Sequence, residues 1–442
     1  MKKKLTREAL FYSVEEVARK IPENRNHKAP NYKYPVQSAV MTAFGAFYFQ
    51  HPSLRHHEET LQQKTYRATF QKLFHEEPID TAQTVRNILD KVDQTLLIPA
   101  FDNIFRRLDR SGVLSTLRFS ERIGLLISGD GVDYFSSEEV SCPQCNRAHH
   151  KMDNGVPKVI HSHKMFNAGI VHPTENMFIP LAPEFITPQD GKKKQDCEQN
   201  AAKRWLESFR KRHKTVRATL QVDALHCNQG FLTMVEEARF HFIATCKPGS
   251  NKTLYEWVET ARKGKDIGVT EKKYISNGKS VTARYEYLRD VPLRDGEDAM
   301  KVNFVSLQEF DTQSGERLRR FEYVTDLSVK DSSVGEIINA GRKRWKVENE
   351  GHNTLKNHGY YFDHNYGHGK QHLSAVIATI ILLSFLIHTV LRLVGEDGIV
   401  KIFQASLARR RIFDLFRHLM QICVLSSWEQ LYSTALKSLQ RA

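Results

Sequence analysis

The sequence predicts an α/β protein whose sheet-forming part lies between two helical regions. Three observations carry this. Apolar runs of strand length begin near residue 122 and are interrupted by one amphipathic helix. Apolar residues return at helical spacing before residue 120 and after residue 331. Between residues 249 and 330, charged and apolar positions alternate as they do in half-exposed strands.

Residues 1–120 read as helices, with periodic stretches at Thr60–Phe74, Thr81–Val92 and Leu97–Leu108. Thr81 stands where an N-cap belongs, with Gln83 and Arg86 facing outward. This region reads as DNA-binding; a helical scaffold with a solvated basic face is the other reading. Strands follow at Arg122–Ile127, Val156–His163, Asn176–Leu181, Arg217–Val222 and Arg239–Cys246, with a helix at Asp196–His213 before the fourth. Three strands, a helix and two strands is the order of a ribonuclease-H-like core, here residues 121–248. Residues 249–330 read as a β-rich insertion, with a hairpin turn at Asn277-Gly278. Residues 331–395 return to the core and carry a basic helix, and residues 396–442 form a C-terminal helical region. Ala375–Val394 is apolar and long enough to cross a bilayer, but it holds Ser384, His388 and Arg392 and reads as a buried core helix.

The 442 residues have room for about two to four domains. A net charge of +14, from 65 basic and 51 acidic side chains, describes a globular protein with basic faces rather than a basic tail. Such an excess favours nucleic acid or an anionic membrane as partner, and of the two DNA is expected and no membrane. Six cysteines give no disulfide framework and suit a reducing compartment. No apolar run follows the basic start Met1-Lys2-Lys3-Lys4-Leu5, so a secretory leader is not expected. The expected location is the cytoplasm, on the nucleoid when bound to DNA.

Three carboxylates stand out. Asp130 closes the run Ile123–Gly129, and Asp223 closes Arg217–Val222. Glu348 lies among Arg342, Lys343, Arg344 and Lys346. Acids on two strand ends and a basic helix supply what metal-dependent phosphoryl transfer on DNA needs: oxygen ligands from several directions and cations for the phosphates. Asp133 competes with Asp130 but falls beyond the strand end, as a turn acid. Glu350 competes with Glu348, and the two point about 200° apart on a helix.

Other candidates surround these. Cys142-Pro143-Gln144-Cys145 is half of a zinc site, which His149, His150, His161 or His163 would complete, or else a reduced metal-free hairpin. Lys192–Lys194, Lys203-Arg204 and Arg210–Arg212 either track DNA or form a solvated face. Trp257 is a candidate for stacking on an unpaired base, or a core or surface tryptophan. The turn His364–Gly369 either approaches a phosphate through backbone N–H groups or is a tight connection.

The motifs Asp130–Ser137, Asp223–Gln229 and Gly341–Lys356, in this order, resemble cut-and-paste insertion-sequence transposases of the DDE class. They are most similar to the hairpin-forming branch with the signature Tyr-x2-Arg-x3-Glu-x6-Lys. The resemblance implies that Asp130, Asp223 and Glu348 hold two Mg2+ (or Mn2+) ions and are the catalytic residues. It implies that Arg344 and Lys356 contact DNA. It implies a homodimer in a synaptic complex on double-stranded DNA, both terminal inverted repeats and target. Two positions depart from the signature. Gly341 holds the tyrosine position, and seven residues instead of six separate Glu348 from Lys356. The extra residue turns Lys356 by about 100°, unless the helix bends or breaks near Gly351. Two other classes share these features: an inactive DNA-binding descendant of a transposase, and a metal-dependent nuclease without strand transfer.

Overall fold

The computed structural model describes residues 5–26, 28, 32–151, 157–188, 195–395, 400–402 and 409–440. Helices α1 (Arg7–Lys20), α2 (Val36–Tyr48), α3 (Leu54–Leu61), α4 (Lys64–Phe74), α5 (Ala82–Leu89), α6 (Ile98–Arg110) and α7 (Val113–Thr116) precede the sheet. Thr6 caps α1 through the amide of Ala9, and Thr81 caps α5 through the amide of Thr84. Arg86 does not face outward as expected: its Nε donates to the carbonyl of Tyr366 at 2.9 Å.

A mixed sheet runs through the molecule in the order β3-β4-β2-β7-β8-β12-β11-β10-β9, with β1 against β2, and β5 and β6 against β4. Its first part is β1 (Arg118–Ser120), β2 (Gly124–Ser137), β3 (Asn146–Lys151), β4 (Pro157–Val171), β5 (Phe178–Pro180) and β6 (Glu184–Ile186). After helix α8 (Glu198–Arg212) come β7 (Ala218–Val222), α9 (Gln229–Glu237) and β8 (His241–Thr245). Strands β2, β7 and β8 are parallel neighbours, and β4 is antiparallel to β2. Helix α8 packs Ala201, Ala202, Trp205, Leu206 and Phe209 inward, the helical spacing that the sequence shows.

One strand boundary differs from expectation. Asp130 does not end its strand, because β2 continues to Ser137 in antiparallel register with β4, Asp130 opposite Asn167. Gly129 and Gly131, on either side of Asp130, serve close packing. A Cβ on Gly129 would lie 2.2 Å from the Phe166 ring, and one on Gly131 2.1 Å from Glu198 Oε2. Asp133 is therefore a strand residue rather than a turn acid, paired with Lys164 at 3.1 Å.

The residues read as an insertion form helix α10 (Lys252–Gly264) and strands β9 (Gly268–Ser276), β10 (Lys279–Pro292), β11 (Lys301–Asp311) and β12 (Arg317–Thr325). Asn277 and Gly278, with φ of 49° and 77°, make the turn between β9 and β10. Strand β12 pairs with β8, so these strands prolong the core sheet instead of standing apart from it. Helix α11 (Val334–Arg342) follows, then a π-helical turn at Val347–His352 that leads into α12 (Asn353–Asn357).

Helix α13 (Leu373–Val394) is long and apolar enough to cross a membrane, but protein covers it. It packs against α1, α2, α5 and β5. Its polar side chains find partners within the core: Ser384 donates to the carbonyl of Ile380, and His388 Nδ1 lies 2.8 Å from the Tyr360 hydroxyl. Helices α14 (Arg409–Ile422) and α15 (Trp428–Gln440) close the same bundle. Trp428 sits among Phe11, Tyr48, Phe49 and Phe74, so the two helical ends of the chain share one aromatic core.

Candidate active site

Parallel register places two of the three acids side by side. Ser128 of β2 is level with Gln221 of β7. Two residues further on each strand stand Asp130 and Asp223, at the edge where β7 ends. The C-terminal ends of parallel strands form such a crevice in open α/β sheets. Asp223 Oδ1 accepts from the amide of Leu225 and from His226 Nδ1, both at 3.0 Å.

Glu348 comes from the π-helical turn and is tied to this pair by Arg344. The guanidinium reaches Glu348 Oε1 at 2.7 Å and Asp130 Oδ2 at 3.3 Å. Burial pushes the Asp130 carboxyl up, and the neighbouring charges of Asp223 and Glu348 push the same way against Arg344. Burial also pushes Asp223 up, but the hydrogen bond from His226 and the charges of His226 and Arg344 outweigh it and hold Asp223 below its ordinary value. The charge of Glu350 acts on Lys346.

A fourth carboxylate, not anticipated from sequence, joins the three. Glu198 begins α8 and folds over Gly131. Burial raises its pKa, as do Asp130 and Asp223, while His226 opposes them. Glu198 Oε1 and His226 Nε2 are buried without a hydrogen-bond partner, 3.8 Å apart. Asp130, Asp223 and Glu198 are the hard oxygen donors that a divalent cation takes, while among the described residues the ligand atoms that already lie within reach of one ion are those of Cys142, Cys145, His163 and His368. The only sequence signal for Glu198 was the small residue at 131, which makes room for it.

Beside Glu348 opens a basic cleft lined by Arg319, Arg342, Lys343, Arg344, Trp345 and Tyr323. Trp345 is half exposed there. A Cβ on Gly341 would lie 2.8 Å from the Tyr323 ring. An aromatic hydroxyl from β12 thus stands next to the position where the signature has tyrosine. Lys346 is not part of the cleft: its Nζ is buried and donates to the carbonyls of His172 and Glu175 at 2.6 and 2.5 Å.

The π-helical turn at Val347–His352 lies between Glu348 and Lys356. A π-bulge takes one additional residue into a helix without ending it. Lys356 and Arg344 both act on His352, whose pKa falls to about 4, first through burial and then through these two cations.

The remaining candidates separate. Trp257 is 55% exposed on α10, and among the described residues no contact links it to the acids. Lys192–Lys194 lies outside the described residues. Further along that basic stretch, Arg204 pairs with Asp196 and Glu184, Arg212 pairs with Asp102, and Arg210 binds backbone carbonyls, so these arginines brace the core. The amides after the His364–Gly369 turn are not free for phosphate. Those of Lys370, Gln371, His372 and Leu373 all donate to the carboxylate of Asp90, which caps α13. Cys142 and Cys145 do meet histidines, His163 as expected and also His368. His149 and His161 are not in that group, and the side chain of His150 lies outside the described residues.

Residues 184–386 match the family model of the transposase DDE domain. The match supports a DDE transposase. Asp223, Arg344 and Glu348 fall inside the matched segment, and Asp130 precedes it. No curated protein matches the chain. An enzyme of transposition acting on DNA agrees with the basic cleft beside Glu348.

Proposed function

We propose that the chain cuts and joins the ends of its own insertion sequence by phosphoryl transfer at Asp130, Asp223 and Glu348. The observation that carries the reading is the level placement of Asp130 and Asp223 at the end of β7, with Arg344 bridging to Glu348. The strand order of the first half of the sheet supports a ribonuclease-H-like core. Two Mg2+ (or Mn2+) ions held by the three acids would activate water and stabilise the leaving 3′ oxygen. Glu198 and His226 orient Asp130 and Asp223 by charge and hydrogen bond. Arg344 neutralises Asp130 and Glu348, and when DNA enters it is positioned to turn to a phosphate. Lys343, Arg342 and Arg319 line the path of the strand, with Lys356 beyond them. Trp345 and Tyr323 offer rings to an end being folded into a hairpin, the step expected of the branch with the Tyr-x2-Arg-x3-Glu-x6-Lys signature; Trp257 is the more distant candidate.

Residues 1–120 contribute to end recognition in this reading. A second open cleft, lined by Arg25, Arg86, Lys91 and Lys370, offers a basic surface there. Two ends must be held together for cutting and joining, so the working form is a homodimer in a synaptic complex, in the cytoplasm and on the nucleoid.

A strand-transfer assay tests the reading. Terminal DNA with a pre-cut 3′-OH, supplied with Mg2+ and plasmid target, is expected to become joined to the target. Hydrolysis without joining would reduce the protein to a nuclease, and binding without either would leave an inactive descendant. Arg344→Ala is expected to lower cleavage of these ends by about 10- to 100-fold, the worth of one charge-assisted hydrogen bond to phosphate. Arg344→Lys is expected to recover only part, since an ammonium lacks the planar fork. Steady-state cleavage rates of the three proteins check this.

A further inference from the structure

We propose that Cys142, Cys145, His163 and His368 bind one structural zinc ion, which clamps the chain after the Glu348 segment onto the hairpin that extends the Asp130 strand. Cys142 and Cys145 lie in the knuckle between β2 and β3, and His163 lies in β4. His368 arrives from the loop between α12 and α13, 205 residues after His163 in the chain.

The spacing of the four donor atoms carries the proposal. Zinc at about 2.3 Å from sulfur and about 2.0–2.1 Å from nitrogen sets the edges of a tetrahedron at about 3.8 Å for two sulfurs, about 3.6 Å for sulfur and nitrogen, and about 3.4 Å for two nitrogens. The two Sγ atoms are 3.7 Å apart. His163 Nε2 is 3.4 Å from each sulfur, and His368 Nδ1 is 3.6 Å from Cys145 Sγ. The two nitrogens are 3.3 Å apart. All four atoms lie within 4.8 Å of one another. Five measured edges match one tetrahedron whose two kinds of donor differ in bond length as sulfur and nitrogen do.

The surroundings suit a closed site. Cys145 and His163 are buried and Cys142 is half-buried. The ring of Phe135 meets His368 edge-on at 4.1 Å, and Tyr134 stacks on His163 at 5.7 Å. These rings hold both imidazoles and keep water away. Four protein ligands leave no open position, so the ion holds structure and does not activate water. Two thiolates and two imidazoles favour zinc over the hard cations expected at the carboxylates.

The clamp has a mechanical consequence. Asp130 lies on β2, whose end at Ser137 leads into the knuckle, and His368 follows the segment bearing Glu348 and Lys356 by a loop. Zinc therefore closes a loop that contains Asp223 and Glu348, fastens its far end to the hairpin that continues the Asp130 strand, and limits how far Glu348 can drift from Asp130.

Metal analysis of the purified full-length chain tests the site without reference to activity. Mass-spectrometric metal analysis is expected to find about one zinc per chain. His368→Ala and Cys145→Ser are expected to fall below about 0.1 per chain, while His161→Ala, Cys197→Ser and Asp223→Asn keep the full content. Co2+ exchanged into the parent protein is expected to give the intense visible bands of a tetrahedral sulfur-nitrogen site. Should the ligand variants fail to fold, the cobalt spectrum of the parent decides. Parent protein with neither zinc nor that spectrum overturns the proposal, and so does folded His368→Ala with undiminished zinc.

Discussion

Asp223→Asn is expected to cut metal-dependent cleavage of the insertion-sequence ends by at least about 10³-fold, since several kcal/mol of charge stabilisation at the reacting phosphate disappear with one anionic ligand. The substitution isolates charge from shape. Asp223 Oδ1 accepts from the amide of Leu225 and from His226 Nδ1. An asparagine oxygen accepts both bonds, so the turn after β7 survives and the thermal midpoint should stay close to that of the parent. Asp133→Asn is the matched control. It removes a carboxylate three residues from Asp130 whose partner is Lys164, in a pair exposed enough to contribute little. Cleavage by this control is expected to stay within about threefold of the parent, in line with an exposed pair worth under about 1 kcal/mol. Single-turnover cleavage of labelled ends by the three proteins gives the comparison. Parent-like cutting by Asp223→Asn would remove Asp223 from the site and with it the level pair on which the proposed chemistry stands.

Much of this arrangement is legible in the residues, and the failures share a cause. Local signals are read correctly where local physics decides. Thr81 caps because a hydroxyl satisfies an orphan amide, and Asn277-Gly278 turns because both residues tolerate positive φ. The core helix at Ala375–Val394 is visible because it is apolar all round, and the structure buries it as Leu373–Val394. Misreadings occur where a distant partner decides. Asp130 looks like the end of a strand, but β2 runs on against β4 to Ser137, with Phe166 and Glu198 packed on the glycines either side of Asp130. The alternating residues after 249 read as strands but do not tell which strand they join, and it is the pairing of β12 with β8 that makes them one sheet with the core. Arg204, Arg210 and Arg212 look like a DNA track until Asp196, Asp102 and the Val216 carbonyl claim them. Glu198 and His368 carry no local signature at all. Each becomes visible only when the fold brings it beside residues far away in sequence. The seven-residue gap before Lys356 is an intermediate case: the sequence leaves open a helix that bends or breaks there or a Lys356 turned by about 100°, and the structure has a π-helical turn at Val347–His352.

Leu383→Ala is expected to destabilise the protein by about 2–5 kcal/mol, the range for deleting a fully buried leucine whose surroundings cannot collapse. Leu383 is at the centre of α13 and has no exposed surface. Collapse is restricted there because α13 is held at both ends. Asp90 clasps the amides of Lys370–Leu373 at its start, and His388 hydrogen-bonds Tyr360 near its end. Around it lie α1, α2, α5 and β5, which come from both the N-terminal region and the core sheet. A cavity at Leu383 therefore loosens the joint between the N-terminal helices and the sheet rather than one face of a surface helix. Ile422→Ala, at an exposed position at the end of α14, is the control and should lie within about 0.5 kcal/mol of the parent. Urea unfolding followed by circular dichroism measures both as shifts of the midpoint at constant slope. A helix whose apolar surface faced lipid would tolerate Leu383→Ala in water with little change, so an undiminished midpoint would contradict the packing of α13 as the central post of the bundle.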